Sequence, residues 1–240
     1  MAPVALVTGG SGGIGRACVK SLAPDHDVVV NYYSNKEAAS ALADEITDQS
    51  DLGAAITFRC DVSNRADVQE MVETISHDLG DISVLVNNAG VADRKDLLDV
   101  DDDDIDKKVA VNVKGTIFCT QALLPSMLEA EEGRIVNIAS TSGTRGVETD
   151  VVYGMTKAGM VSFTKSLARL YTSEGIFSNA VAPSVTDTPM QPPERRPVAE
   201  KYLPIDRLIR PHEVAEVVRL FAMTESISGK TLEIDGGDYT

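Results

Sequence analysis

Seven short apolar runs, each closed by turn residues, narrow what this chain can become more than any other feature. "PVALVTG", "DVVVNYY", "AAITFRC", "ISVLVNNAG", "GRIVNIAS", "IFSNAVAP" and "GKTLEIDGG" read as strands. The segments between them, such as 35–49, 64–79, 101–128 and 151–174, carry helical periodicity and are long enough to cross over a sheet. This alternation predicts an α/β fold with a doubly wound parallel sheet of about seven strands and helices on both faces. Ligands of such sheets bind at the carboxyl ends of the strands, near the switch in strand order.

The first strand runs into "TGGSGGIG", Thr8 to Gly15, and a helical pattern follows. Gly9 permits a tight turn, Gly13 lets backbone approach a pyrophosphate, and Gly15 lets helix and strand pack closely, with the helix N-terminus facing the anion. The setting predicts a Rossmann-type dinucleotide site. An NAD site usually offers an acid to the ribose about twenty residues on. Here Tyr32 stands in that place, while Asn31, Ser34 and Lys36 offer donors to a 2′-phosphate, so NADP (as NADPH) is favoured. Against this, Gly12 occupies a loop position where an arginine could have gripped that phosphate.

Tyr153 and Lys157 stand four residues apart in "VVYGMTKAG", hence on one face of a helix. At ~5 Å and an effective dielectric of ~20, the attraction between phenolate and ammonium is ~3 kcal/mol, about two pK units. The spacing also fits an ordinary surface pair; the sharper expectation is a tyrosine acidified by its lysine and able to act as a general acid or base.

With these residues in order, the chain resembles the short-chain dehydrogenase/reductase family over nearly its whole length. The matching motifs are T-G-x-x-x-G-x-G at 8–15, Asp61-Val62 after the third strand, "NNAG" at 87–90, and Asn112 in "VNVKG". They continue with Ser140, Tyr153 and Lys157 in Y-x-x-x-K, and "DGG" at 235–237. The resemblance implies that Asp61 binds the adenine end and that Asn88, Ala89 and Gly90 pack along the cofactor. It also implies that Lys157 binds the nicotinamide ribose and acidifies Tyr153, that Ser140 holds the substrate carbonyl, and that Asn112 anchors a water. Further cofactor contacts would come from Thr8, Ser11, Ile14, Val62, Pro183, Thr186 and Thr188. One departure is Ser184, where the family usually has glycine after proline. The implied activity is NADPH-dependent reduction of a 3-oxoacyl thioester. A reductase of 3-oxoacyl groups on an acyl carrier protein, a small-alcohol or sugar dehydrogenase, and a non-catalytic cofactor sensor that has kept the fold, remain as alternatives.

Composition excludes other classes. A formal net charge of −15 disfavours a nucleic-acid partner, and suits a protein kept soluble in concentrated salt. No run reaches the ~18 apolar residues of a membrane span, and the start "MAPVALVTGG" lacks a basic leader, so a cytoplasmic location is expected. Cys18, Cys60 and Cys119 are dispersed and read as packing residues, with no metal site; His26, His77 and His212 read as surface residues. The aspartate run 101–104 lacks the glycine and glutamate of a calcium loop and reads as a helix start. The Pro-rich stretch 188–197 lies too near the C-terminus to divide the chain, so one domain over 1–240 is expected, with 188–205 as a substrate lid. The family resemblance also implies pairing of subunits through 101–128 and 151–174, giving a homotetramer. Glu129, Glu131, Glu132 and Glu174 would repel an acidic acyl carrier protein, which points to a coenzyme A thioester such as acetoacetyl-CoA.

Overall fold

In the computed structural model, which describes residues 2–49, 52–191, 197, 201 and 203–238, the seven expected strands form one parallel sheet. They are β1 (Val4–Val7), β2 (Asp27–Tyr32), β3 (Ala55–Arg59), β4 (Ile82–Asn87), β5 (Gly133–Ile138), β6 (Ile176–Pro183) and β7 (Thr231–Ile234). Their order is β3-β2-β1-β4-β5-β6-β7, so the chain reverses direction across the sheet between β1 and β4. The carboxyl ends of those two strands form the crevice where a ligand is expected.

The strands are near-continuous apolar runs because helices cover both faces. Within β1, Ala5 and Val7 face one core, packed by α1 (Gly13–Leu22), α2 (Lys36–Thr47) and α8 (Pro211–Met223); Val4 and Leu6 face the other. That second core is filled by α3 (Arg65–Leu79), α5 (Thr116–Ala130) and the C-terminal part of α7 (Val151–Tyr171), through Met71, Ile75, Leu123, Met127 and Leu167. Each such side chain, fully buried, contributes roughly 1.5–3 kcal/mol. All three cysteines are buried and unpaired, as packing residues should be.

Helix starts follow local chemistry. Asn35 and Asn64 cap α2 and α3 by accepting from the amides of Ala38 and Ala66. Asp101 and Asp104 form a reciprocal capping box at α4 (Asp102–Lys108), which is the role expected of the aspartate run. The stretch 101–128, expected as one helix, is interrupted by a π-helical turn at Val109–Gly115 between α4 and α5. Such turns widen the helix locally and are common at functional sites; this one carries Asn112 inward, where it is buried.

Two expectations are corrected here. His26 is buried, its Nδ1 3.3 Å from the carbonyl oxygen of Leu22, and burial lowers its pKa. Tyr32 is buried at 6% exposure, because the two-residue period of β2 sends it with Val28 and Val30 into the core beneath α2. It therefore does not stand exposed at the end of β2, where an acid would meet a ribose.

Candidate active site

The switch point is locked by polar side chains that bond backbone. The Thr8 hydroxyl accepts from the amides of Asn88 and Ala89, at 3.0 Å each, and donates to the Val86 carbonyl at 3.2 Å. In return the Asn88 side-chain amide donates to the carbonyls of Thr8 (2.8 Å) and Gly9 (3.1 Å). Asn31 has the same kind of job: its Oδ1 accepts from the Gly9 amide at 3.0 Å, and its Nδ2 donates to the carbonyls of Cys60 and Phe58. That corrects the expectation that Asn31 offers a donor to a 2′-phosphate, since both of its side-chain hydrogens are spent on backbone.

The glycine loop fits a dinucleotide. A Cβ on Gly15 would come within 2.3 Å of the Gly9 carbonyl oxygen, so α1 presses directly on the first turn. Gly9 and Gly13 hold positive φ angles of 61° and 52°. Gly12 caps α1 without a side-chain bond, and the first turn carries no acid, so the amide hydrogens at the helix start face outward to an anion. Ser11 and Ile14 belong to this loop and first turn. Thr188 closes over it, with its Cγ2 3.2 Å from the Cβ position of Gly13. Thr186 is buried and donates to the Ser184 carbonyl, and the Ser184 amide bonds Ile234, so the residue that replaces glycine is tied to β7. Pro183 ends β6 beside it.

Past β3 the Asp61 carboxylate accepts from the amide and hydroxyl of Ser63, and Val62 packs where Gly115 leaves room, 2.9 Å from its Cβ position. Tyr33 and Ser34, just past Tyr32, are exposed. Arg59 at the end of β3 lies over the Tyr33 ring, 5.8 Å from its centroid, and donates to its carbonyl. This cation beside the end of β2 was not singled out from sequence, because the pairing of β2 with β3 brings it there.

On the other side of the crevice, Ser140 follows β5 and caps the short helix α6 (Thr141–Arg145) by accepting from the Ser142 amide at 3.1 Å, and its hydroxyl neighbours the Tyr153 phenol and works against the rise of that group's pKa. Lys157, fully enclosed, donates to the Ile138 carbonyl at 2.6 Å and sits 5.7 Å from the Tyr153 ring centroid. Gly90 borders both Lys157 and Asn112: its Cβ position is 3.6 Å from Lys157 Nζ and 3.3 Å from Asn112 Oδ1. The four expected catalytic groups thus converge on one crevice, but two details differ from expectation. Burial raises the Tyr153 pKa, and it lowers that of Lys157 to about 8. Desolvation, and not the pair attraction that spacing suggested, sets the direction for both groups. Asn112, for its part, exchanges bonds with the amide and carbonyl of Val91 (2.8 and 3.0 Å) and donates to Thr156 at 3.1 Å, so its side chain staples the loop after β4 to α7.

Beneath this site runs a buried polar ladder that sequence reading missed. Asn87 donates to Asn137 (2.9 Å) and Thr120, and Asn137 donates to Thr164 (2.8 Å), which joins β4, β5, α5 and α7 one layer below Lys157. Gly143 is a second omission: a Cβ there would lie 2.5 Å from the Lys157 backbone carbon, so α6 can seat on α7 only with glycine at that point. Of the expected lid at 188–205, residues 192–196, 198–200 and 202 lie outside the described residues. Its described beginning is tied across the crevice, where Arg94 donates to the buried Gln191 at 2.8 Å. Among the described residues there is no cluster of metal-ligating side chains, and no helix is long and apolar enough to cross a membrane.

The comparisons agree with this geometry. The family model for short chain dehydrogenases matches residues 3–199. A 3-oxoacyl-acyl-carrier-protein reductase of Synechocystis sp. is 37% identical over 240 residues, covering 98% of this chain and 96% of that one. Carbonyl reductase family member 4 of Xenopus laevis is 35% identical over 237 residues, covering 99% and 98%. A blue fluorescent protein from a metagenomic library, solved in complex with NADPH, superposes with a TM-score of 0.92 at 33% identity, covering 99% of this chain and 98% of that one.

Proposed function

This chain belongs to the short chain dehydrogenase family, and from that premise we propose that it is an NADPH-dependent reductase of 3-oxoacyl thioesters. The observation that carries the reading is the pair of neighbouring hydroxyls, Ser140 and Tyr153, beside the enclosed Lys157 at the carboxyl end of the sheet. When bound, the reduced nicotinamide supplies hydride. Negative charge then builds on the substrate carbonyl oxygen, and two hydroxyls aimed there stabilise it while Tyr153 delivers the proton. Lys157 binds the nicotinamide ribose in this reading. Asp61, Val62, Asn88, Ala89 and Gly90 line the cofactor, joined by the glycine loop and by Pro183, Thr186 and Thr188.

NADPH over NADH is supported by the absence of a carboxylate at the end of β2, by the Arg59 cation beside Tyr33 and Ser34, and by the NADPH bound to the structural relative. The thioester substrate is supported by the relative named as a 3-oxoacyl-acyl-carrier-protein reductase. The choice of carrier is reopened by the fold. Glu129, Glu131 and Glu132 precede the amino end of β5, and Glu174 precedes that of β6, at the opposite edge of the sheet from Tyr153. Within one chain they cannot repel a carrier docked at the crevice, so acyl-carrier thioesters stand as the second reading beside acetoacetyl-CoA. A homotetramer in salt-rich surroundings is part of the same proposal, supported by Val151 and Met155, 42% and 60% exposed on α7.

The test follows loss of NADPH absorbance with matched acetoacetyl-CoA and acetoacetyl-carrier substrates across a salt series. Turnover with at least one of them, and a higher kcat/KM with NADPH than with NADH, is expected. No oxidation with any 3-oxoacyl thioester, or a preference for NADH, overturns the proposal.

A further inference from the structure

A buried ion pair lies behind the catalytic tyrosine and is not used by the chemistry above. Lys108, the last residue of α4, has no exposed surface; its Nζ lies 3.1 Å from Asp150 Oδ1 and donates to the Asp93 carbonyl at 2.8 Å. Asp150, 4% exposed, is the N-cap of α7, and the same Oδ1 accepts from the Tyr153 amide at 3.2 Å. Its other oxygen, Oδ2, is buried without a hydrogen-bond partner.

Capping does not account for this arrangement. Asparagine or serine caps a helix about as well as aspartate and carries no charge. Removing two ions from water costs several kcal/mol each, and an apolar pair of similar volume is often as stable. A charge kept at that cost, with one carboxylate oxygen unbonded, still acts on its surroundings through its field. The nearest titratable group along α7 is Tyr153, where the Asp150 charge favours phenol over phenolate. The other charges facing that phenol are Arg94, from the loop after β4, which opposes this effect, and Lys157 on α7.

We propose that Lys108 and Asp150 are positioning residues: Lys108, tied to the Asp93 carbonyl, holds Asp150 in place inside the protein, and Asp150 seats the first turn of α7 and sets the charge that Tyr153 faces. The pair thereby biases the site toward carbonyl reduction, the direction in which the tyrosine must hold a proton when hydride arrives. This inference rests on the reading of Tyr153 as proton donor.

Asp150→Asn separates seat from charge, since asparagine preserves the cap. The readout is titration of the Tyr153 phenol by NMR of ring-labelled tyrosine, the signal being the one that Tyr153→Phe removes; the alkaline limb of kcat/KM for reduction is followed in parallel. In Asp150→Asn the phenol titration moves down by about one pH unit, the scale of a lost like-charge neighbour. Should the unpaired Lys108 prevent folding, Lys108→Met combined with Asp150→Asn removes both members of the pair, and the titration moves in the same direction by less, because Asp150 is the member that acts on Tyr153. Coincidence of the titration in folded Asp150→Asn, or in the folded double variant, with that of the wild type overturns the proposal. The titration needs no substrate, so absence of turnover would overturn the reductase reading while the phenol shift still judges the pair.

Discussion

The two halves of the sheet use polar side chains in opposite ways. In the half built from β1, β2 and β3, Thr8 and Asn31, met by Asn88 from the end of β4, bond main chain, and what they leave facing the crevice is glycine and backbone amide. In the half built from β4, β5 and β6, helix α7 brings hydroxyl and ammonium groups to the crevice, and Lys108, Asp150 and Lys157 are all enclosed. A coenzyme's phosphates are permanent charges that rigid amide hydrogens can meet without any titrating group. A reaction that moves a proton needs groups whose protonation the protein controls, and burial is the means of control. The first half should therefore be sensitive to shape, the second to charge.

The largest break in that contrast comes from Tyr153→Phe, which keeps the ring packed and removes one proton. Turnover should fall by ~10²–10⁴-fold, the usual contribution of general acid catalysis, with coenzyme affinity unchanged. Fluorescence titration of NADPH beside steady-state rates separates the two; retention of more than half the turnover would show that the acid lies elsewhere.

The same division decides what could be read in advance. Strands β1 to β7 were legible because helices on both faces make each one an apolar run, and the glycine loop was legible because a close approach of backbone leaves only glycine possible. Tyr153 and Lys157 announced themselves by helical spacing. What spacing does not encode is enclosure: whether Lys157 acidifies the phenol depends on how much protein surrounds both, and here desolvation sets the direction for each group. Asn31 and Tyr32 were misread for a related reason. Tyr32 is covered by α2, and Asn31 is spent on the Gly9 amide and on the carbonyls of Phe58 and Cys60, so both depend on elements that the residues beside them do not mark. Lys108 and Asp150, or Asn87 and Asn137, meet only after the sheet has assembled, so no local pattern marks them.

Lys157 sharpens the comparison in stability instead of rate. Its pKa in the coenzyme-free protein is lowered from 10.5 to about 8, with burial as the cause. A base whose folded pKa is depressed favours the folded state when deprotonated. Its contribution is therefore most favourable above about pH 10.5 and is lost as pH falls toward 8. At neutral pH the enclosed ammonium should cost the coenzyme-free protein on the order of 3 kcal/mol. Lys157→Met should thus raise Tm near pH 7, lose that advantage as pH rises past 9, and abolish reduction. Melting curves across that range check it, and an advantage of Lys157→Met that does not shrink with rising pH would refute the enclosed-charge account.

The smallest effect belongs to the coenzyme half, at Gly12. Its backbone is extended (φ −152°), so no glycine-only conformation is required, and a Cβ built there meets nothing within 4 Å. Gly12→Arg should therefore fold. A cation at the start of α1 opposes the helix dipole, which should cost a few tenths of a kcal/mol up to about 1. The same cation is where the loop can meet a 2′-phosphate, and an exposed pair of this kind gives at most about 1 kcal/mol, roughly a five-fold gain in the NADPH-to-NADH ratio of kcat/KM. Stability and discrimination should then move in opposite directions from a single substitution. If both coenzymes gained equally, the arginine would be meeting the diphosphate they share, and discrimination would lie with Arg59 and the exposed residues past β2.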